Sequence, residues 1–408
     1  MAWKEVSVLV LLVCLASAKT RFDGSEVLSV FHEDLNQLRE LAHKARLDVW
    51  SQNHTNTELL VPRRKLGSVK RYLNRKKLPY SVLINDVQKL IDKEQFSIQM
   101  RRGRAGFNLD NYHRLGEIYN WMDYLSKKYP QLVSVETIGY SYERRPIKVA
   151  KISSGKPGAK AVFIDGGIHA REWVSTATVV YILNELVENR SRLPSYMANL
   201  DFYILPVFNP DGYEYTHTTN RLWRKNRSKN SGRCIGTDLN RNFDAHFGGE
   251  GTSDYSCDET YRGPQAFSEP ETKAVSKYIL GLKQKLSAYI AFHSYSQLIL
   301  LPYAYGYKAY PKDYKELEMI GKNAALAIRK SDGEVYNVGT PGDVLYPAAG
   351  GAYDWVKETV GVKYTFTYEL RDTGLHGFIL PARLIRPTAR EAFEGVKVMV
   401  EAAVRRKK

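Results

Sequence analysis

Only three cysteines occur in 408 residues, and no apolar run after the first eighteen residues approaches the roughly 18 needed for a transmembrane helix. The first scarcity excludes a small disulfide-dense scaffold and a structural zinc held by thiolates. The second means that no membrane span is expected. Acid is short as well: 44 Asp and Glu stand against 60 Lys and Arg, a formal charge of +16. Nucleic acid is nevertheless not an expected partner, because no recognised binding motif is present and the chain reads as exported.

Export is read from residues 1–18. Lys4 precedes the apolar run from Val8 to Leu15, and Ala16-Ser17-Ala18 supplies a small-residue cleavage site, the pattern of a secretory signal. Cys14 would leave with it. The remaining Cys234 and Cys257 are then expected to pair as a disulfide in a secreted, extracellular protein. Asn53, Asn189 and Asn226 head N-glycosylation sequons, which arise often by chance and decide nothing alone.

The length suggests more than one domain. Residues 19–104 carry 18 basic against 10 acidic side chains, half of the whole excess. The densest cluster is Arg63-Arg64-Lys65, Lys70-Arg71 and Arg75-Lys76-Lys77; a second ends the chain from Arg405 to Lys408. Two readings stay open: attraction to a polyanion such as a sulfated glycan, or a solvated basic face that aids solubility. Residues 99–106, with Arg101, Arg102 and Arg104, resemble a site for a trypsin-like or furin-like protease, or else an exposed basic linker. Upstream, residues 33–49 have helical spacing, residues 80–84 read as a strand and residues 87–91 as a helical segment, together a small α+β unit. Downstream, strand patterns at 147–152, 161–165, 201–208, 289–292 and 364–368 alternate with helical patterns at 173–187, 269–286, 315–329 and 390–404. Such alternation predicts an α/β fold, a mainly parallel, mixed central sheet with helices on both faces. Its ligand crevice is expected at the carboxyl ends of the strands, where His169, Asn209, His293 and Glu369 fall.

The most informative motif is His169 and Glu172 in Gly167-Ile168-His169-Ala170-Arg171-Glu172-Trp173. Two ligands three residues apart can converge on one cation. With a second imidazole they would leave a position open for water, the mark of a catalytic rather than a structural zinc. His293, just past an apolar strand, suits the third place, although a buried and satisfied histidine reads equally simply. Strand period two puts Thr365, Thr367 and Glu369 on one face. Glu369 at its tip would be a proton acceptor in the crevice, or a partner of Arg371.

Longer blocks sharpen this. H-A-R-E-W, N-R-L-W-R-K, D-L-N-R-N-F, H-S-Y-S-Q, L-Y-P-A-A-G-G and E-L-R-D-T-G occur in order, and over nearly its whole length the chain resembles a zymogen of the A/B-type zinc metallocarboxypeptidases, the pancreatic carboxypeptidase family. The resemblance implies a signal peptide at 1–18, an activation pro-domain at 19–104 and a catalytic domain at 105–408. It implies one Zn2+ held by His169, Glu172 and His293, with Asp238 fixing the tautomer of His169. Glu369 would be the general base and Arg224 the group that polarises the scissile carbonyl. Asn240, Arg241 and Tyr346 would grip the terminal carboxylate of a peptide or protein substrate, and Arg171, Ser294, Tyr295 and Phe378 would line outer subsites. A monomer is implied too.

Specificity turns on the base of the side-chain pocket. A cation there needs a buried acid, and the position that carries it in the basic-residue branch is Tyr353 here; the other matched positions are Leu300, Ala304, Pro341, Leu345, Ala348 and Thr367. The preference implied is for hydrophobic or aromatic C-termini (A-type). Asp343 is the one nearby acid that would favour a basic residue (B-type) instead, and Tyr353 itself shortens the pocket or adds a hydroxyl. A rival from another class, a disabled glycan-binding homologue, would have lost Glu369, Arg224 or a zinc ligand, and all are present.

Overall fold

The computed structural model describes residues 19–101, 106–229 and 234–405. The secretory signal, Arg102 and Arg104 of the processing stretch, and the last three residues of the C-terminal basic cluster lie outside the described residues.

The N-terminal unit contains β1 (Glu26–Phe31), α1 (Leu35–Ala45), β2 (Asp48–Gln52), β3 (Asn56–Val61), α2 (Arg63–Arg75), β4 (Tyr80–Ile84) and α3 (Val87–Arg101). Its four strands form an antiparallel sheet in the order β2-β3-β1-β4. Strand alternation sorts the side chains into two layers. Leu28, Val30, Leu59 and Val61 pack under α1 and α2, with Leu38, Leu41, Val69 and Leu73. Val27, Leu60, Trp50 and Ile84 face the opposite way and join Leu222, Tyr295, Phe378 and Ile379 of the larger unit. The 33–49 helix expected from spacing is shorter than read: Arg46 takes a left-handed conformation that closes α1, and Asp48 already starts β2. The basic cluster, read as charge only, forms α2.

The larger unit contains α4 (Leu115–Lys128), β5 (Val133–Tyr140), β6 (Pro146–Ile152), β7 (Ala161–Gly166), α5 (Trp173–Val187), α6 (Ser195–Ala198), β8 (Asp201–Leu205), α7 (Pro210–Thr218), α8 (Pro270–Leu282), β9 (Leu286–Ser294) and β10 (Leu298–Leu300). It ends with α9 (Tyr314–Asp332), β11 (Asn337–Gly339), α10 (Pro341–Val344), α11 (Ala352–Trp355), β12 (Tyr364–Leu370) and α12 (Ile385–Val404). Eight strands form one sheet in the order β11-β10-β12-β9-β7-β8-β6-β5. The middle pairs, β12 with β9, β9 with β7 and β7 with β8, are parallel, as is β10 with β11, while β5 with β6, β6 with β8 and β10 with β12 are antiparallel. The sheet is therefore mixed, as expected.

β7 shows why both faces are covered. Val162 and Ile164 enter a core with α5 and α12, and Ala161 and Phe163 enter a second core with α8 and Trp355. Each of Val162, Phe163 and Ile164 contributes roughly 1.5–3 kcal/mol by being fully buried. α5 is apolar on nearly every side because it lies inside, and it starts at the residue read from sequence. Other boundaries differ from the reading. β8 stops at Leu205, α8 ends before Leu286 begins a strand, and α12 starts five residues earlier than read, because Pro387 is tolerated in a first helical turn. β7 lies between β8 and β9, so the chain leaves it to opposite sides, and that divide opens a crevice at the strands' carboxyl ends.

Candidate active site

Gly167 turns the chain out of β7 with φ +68°, and a Cβ there would sit 2.6 Å from Thr176 Oγ1, so only glycine fits. Ser175 Oγ accepts from the Gly167 amide at 3.0 Å and donates to the Glu172 carbonyl at 2.8 Å, tying the loop to the start of α5. His169 and Glu172 thereby face β9, where His293 stands opposite Glu369 of β12 in the strand register. His169 Nδ1 lies 2.8 Å from Glu172 Oε1 and 3.1 Å from His293 Nδ1, and His293 Nδ1 lies 3.2 Å from Glu172 Oε2. All three side chains are buried.

Asp238 Oδ1 lies 3.1 Å from His169 Nε2. A proton on Nε2, donated to that carboxylate, leaves the Nδ1 lone pair facing the Nδ1 of His293 and a carboxylate. Two ring nitrogens and an anion turned to one point fit a divalent cation, and nitrogen and carboxylate donors suit zinc. His169, Glu172 and His293 are a candidate metal site.

Charge bears this out. Burial pushes the Glu172 carboxyl up, but the two histidines outweigh it and hold it well below the ordinary carboxylate range. Asp238 is likewise pushed up by burial and drawn well below by Arg224, His169 and Arg241. Arg224 donates to Asp238 Oδ2 through Nε at 3.1 Å and Nη2 at 2.8 Å, so its guanidinium stays charged at the cleft wall. Glu369 is the reverse case: burial, reinforced by Glu172, raises its carboxyl to about 8. Its sequence neighbour Arg371 is not its partner, being engaged by Glu391, Asp332 and Glu334.

One narrow cleft of about 80 Å³ collects nearly every residue singled out from sequence: His169, Glu172, His293, Glu369, Arg224, Asn240, Arg241, Tyr346, Ser294, Tyr295, Tyr353 and Phe378. Arg241 is held by the Gly251 and Asn240 carbonyls at 3.0 Å each, and Asn240 Oδ1 accepts from the Ala352 amide at 3.0 Å. The Ser294 amide donates to Glu172 Oε2 at 3.2 Å. Arg171 lies beside the cleft, its guanidinium 4.1 Å over the Phe378 ring. Leu300, Pro341, Leu345, Ala348, Tyr353 and Thr367 line the side-chain pocket, whereas Ala304, expected with them, does not border it; Thr367 Oγ1 has no hydrogen-bond partner among the described residues.

Three sequence readings are corrected here. Asn209 does not enter the crevice: it caps α7 through the Gly212 amide and donates to the Ile168 and Lys225 carbonyls. Asp343 is outside the cleft and accepts from Thr340 Oγ1 at 2.8 Å, so it offers no acid to a basic substrate. Asn226 is fully buried and donates to Glu269 and Glu271, which leaves no room for a glycan in the folded protein. The expected disulfide between Cys234 and Cys257 is formed.

Sequence reasoning expected the N-terminal domain to cover the crevice but named none of the residues through which it does so. Trp50, Ser51 and Gln52 of β2 form part of its wall. Trp50 packs edge-on against Phe378 and Tyr295, Asp48 pairs with Arg171 at 2.6 Å, and Glu58 accepts from the Tyr295 hydroxyl. On α3, Glu94 holds Arg221 in a buried two-point pair at 2.6 and 2.9 Å. Burial pushes the Glu94 carboxyl up, and Arg221 pulls it back. These contacts join residues more than a hundred positions apart, which no local pattern announces.

Residues 118–395 match the zinc carboxypeptidase family, and residues 27–94 match the carboxypeptidase activation peptide. The chain belongs to the zinc carboxypeptidase family. This carboxypeptidase is 43% identical to carboxypeptidase A2 of Mus musculus over 399 residues, covering 93% of this chain and 94% of that one. It is 45% identical to carboxypeptidase B of Astacus astacus over 291 residues, covering 71% and 96%. The crystal structure of carboxypeptidase A from Helicoverpa armigera superposes with a TM-score of 0.87 at 29% identity, covering 94% and 98%. The chain is thus a zinc metallocarboxypeptidase made with an activation peptide, a zymogen of the A family.

Proposed function

We propose that this carboxypeptidase is secreted, is activated by a trypsin-like or furin-like protease near Arg102 or Arg104, and removes hydrophobic or aromatic residues from peptide C-termini as a monomer. The observation that carries the specificity is the cleft lining: among the described residues Glu172 and Glu369 are its only acids, and the side-chain pocket is apolar apart from the hydroxyls of Tyr353 and Thr367. Glu172 is committed to the metal site and Glu369 to proton transfer, so a lysine or arginine side chain would be buried without a counter-charge. The N-terminal signal pattern, the disulfide and the lack of any described helix long and apolar enough to cross a membrane support secretion.

His169, Glu172 and His293 would hold zinc, which would supply Lewis acidity for the hydrolysis when bound. Asp238 keeps the Nε2 proton of His169 and so keeps Nδ1 free for the ligand role. Glu369, opposite His293, takes the proton of the attacking water and passes it to the leaving amine. Arg224, anchored by Asp238, meets the negative charge that develops on the carbonyl oxygen. Arg241, Asn240 and Tyr346 hold the substrate's terminal carboxylate, which confines cleavage to the last peptide bond. Before activation, β2 and its Asp48–Arg171 and Trp50 contacts occupy the approach to this site.

The test is hydrolysis of matched blocked dipeptides ending in Phe, Leu, Lys and Arg, before and after trypsin treatment. Phe and Leu substrates should be cleaved faster, and only after treatment. A faster Arg substrate would establish the B-type reading instead.

A further inference from the structure

The helix α2 and the two residues after it contain eight cations and no acid between Arg63 and Lys77. Two of them are spent within the unit: Lys65 donates to the Ala45 and Arg46 carbonyls, and Lys70 pairs with Glu26 at 2.5 Å. Arg64, Arg71, Arg75, Lys76 and Lys77 are exposed and form no salt bridge among the described residues. At 3.6 residues per turn, Arg64, Arg71 and Arg75 fall within about 40° of one another around the helix and span roughly 17 Å along it. The apolar residues of α2 point the opposite way, and Val69 and Leu73 are buried beneath the sheet.

From this stripe we infer that α2 is a binding site for a linear sulfated glycan, carried by the zymogen and lost on activation. A narrow line of unpaired guanidinium groups matches a linear polyanion. Each forked donor takes an oxyanion through two hydrogen bonds, and released counterions add affinity at low salt. A membrane surface fits less well, because no apolar side chain of α2 is available to enter a bilayer from this face. The site faces away from catalysis. α1 and α2 cover one side of the pro-domain sheet, and the other side carries Trp50 and meets the crevice. A glycan on α2 therefore leaves the cleft contacts untouched. Cleavage after α3 would leave α2 on the glycan and set the catalytic domain free, so the chain would be stored where the glycan is and act elsewhere. The release step rests on the zymogen reading; binding to the uncleaved chain does not, and the two are measured apart.

The experiment titrates the uncleaved chain with a sulfated octasaccharide at several salt concentrations. The stripe variant Arg64→Gln/Arg71→Gln/Arg75→Gln is compared with Lys127→Gln/Lys156→Gln/Lys330→Gln, which removes equal charge from exposed sites of the catalytic domain. The stripe variant should bind about tenfold more weakly or worse, and its affinity should fall less steeply with salt, by about three in the logarithmic slope. The control should change less than twofold. An unchanged thermal midpoint and normal activation by trypsin show that the stripe variant is folded, with Arg71→Gln alone as the milder substitute. Equal losses in both variants would reduce the effect to net charge and overturn the inference. So would undetectable saccharide binding at low salt. Tighter binding to phosphatidylserine vesicles than to the saccharide, lost in the same variant, would reassign the surface to membranes.

Discussion

Replacing Glu94 with glutamine is expected to make the uncleaved zymogen leak activity. Both Glu94 oxygens are taken by Arg221, at 2.6 and 2.9 Å, and the side chains are 1% and 4% exposed. Removing one partner of such a pair leaves a buried charge and costs about 3–5 kcal/mol. Arg221 keeps the Arg171 carbonyl at 2.8 Å and the Phe378 carbonyl at 2.7 Å, and glutamine retains one acceptor, so the lower end, about 3 kcal/mol, applies. At about 1.4 kcal/mol per factor of ten, the population with the pro-domain displaced rises by roughly two powers of ten. The assay is the initial rate on a blocked dipeptide ending in Phe, taken without protease and again after cleavage. Glu94 departs with the pro-domain, so the matured variant must match matured wild type, which separates loss of docking from damage to the enzyme. If the folded, uncleaved variant hydrolyses no faster than uncleaved wild type, the pair does not hold the crevice shut and the reasoning fails.

Glu369→Gln should keep stoichiometric zinc by elemental analysis while kcat falls by at least about 10²–10⁴; a variant with substantial turnover removes Glu369 as the base. Asp238→Asn should weaken zinc affinity about 10- to 100-fold in a chelator competition, through loss of the acceptor that holds the His169 tautomer. An unchanged affinity would reduce Asp238 to a partner of Arg224. Asp354→Asn probes pH. Burial raises the Asp354 carboxyl to about 8, so the folded state prefers the proton. Wild-type stability should therefore decline relative to the variant as pH rises from about 4 to about 8, by up to about 1.4 kcal/mol per unit, and level off above that. Parallel curves of thermal midpoint against pH would contradict it.

Local chemistry carried far along this chain. The start of α5 was legible because its apolar positions run unbroken from Trp173, and β12 because threonine and aromatic residues alternate there. α12 was legible only in part, since Pro387 hides a first turn that tolerates it. α2 was hidden because its charges mask a stripe of three apolar residues, and β1 and β3 because short strands carry little periodicity.

What the linear order determined was the set of reactive groups and their short spacings: His169 with Glu172 on one loop, and Glu369 at the tip of a strand face. Tertiary structure decided that His169, Glu172 and His293, named from sequence although His293 lies 124 positions from His169, actually converge, that Asn209 and Asp343 stay out of the cleft, and that β2 borders it. The physical reason is that strand order in a parallel sheet and the docking of one domain on another depend on complementary surfaces formed from distant segments. Local spacing constrains only what lies within a few residues along the chain.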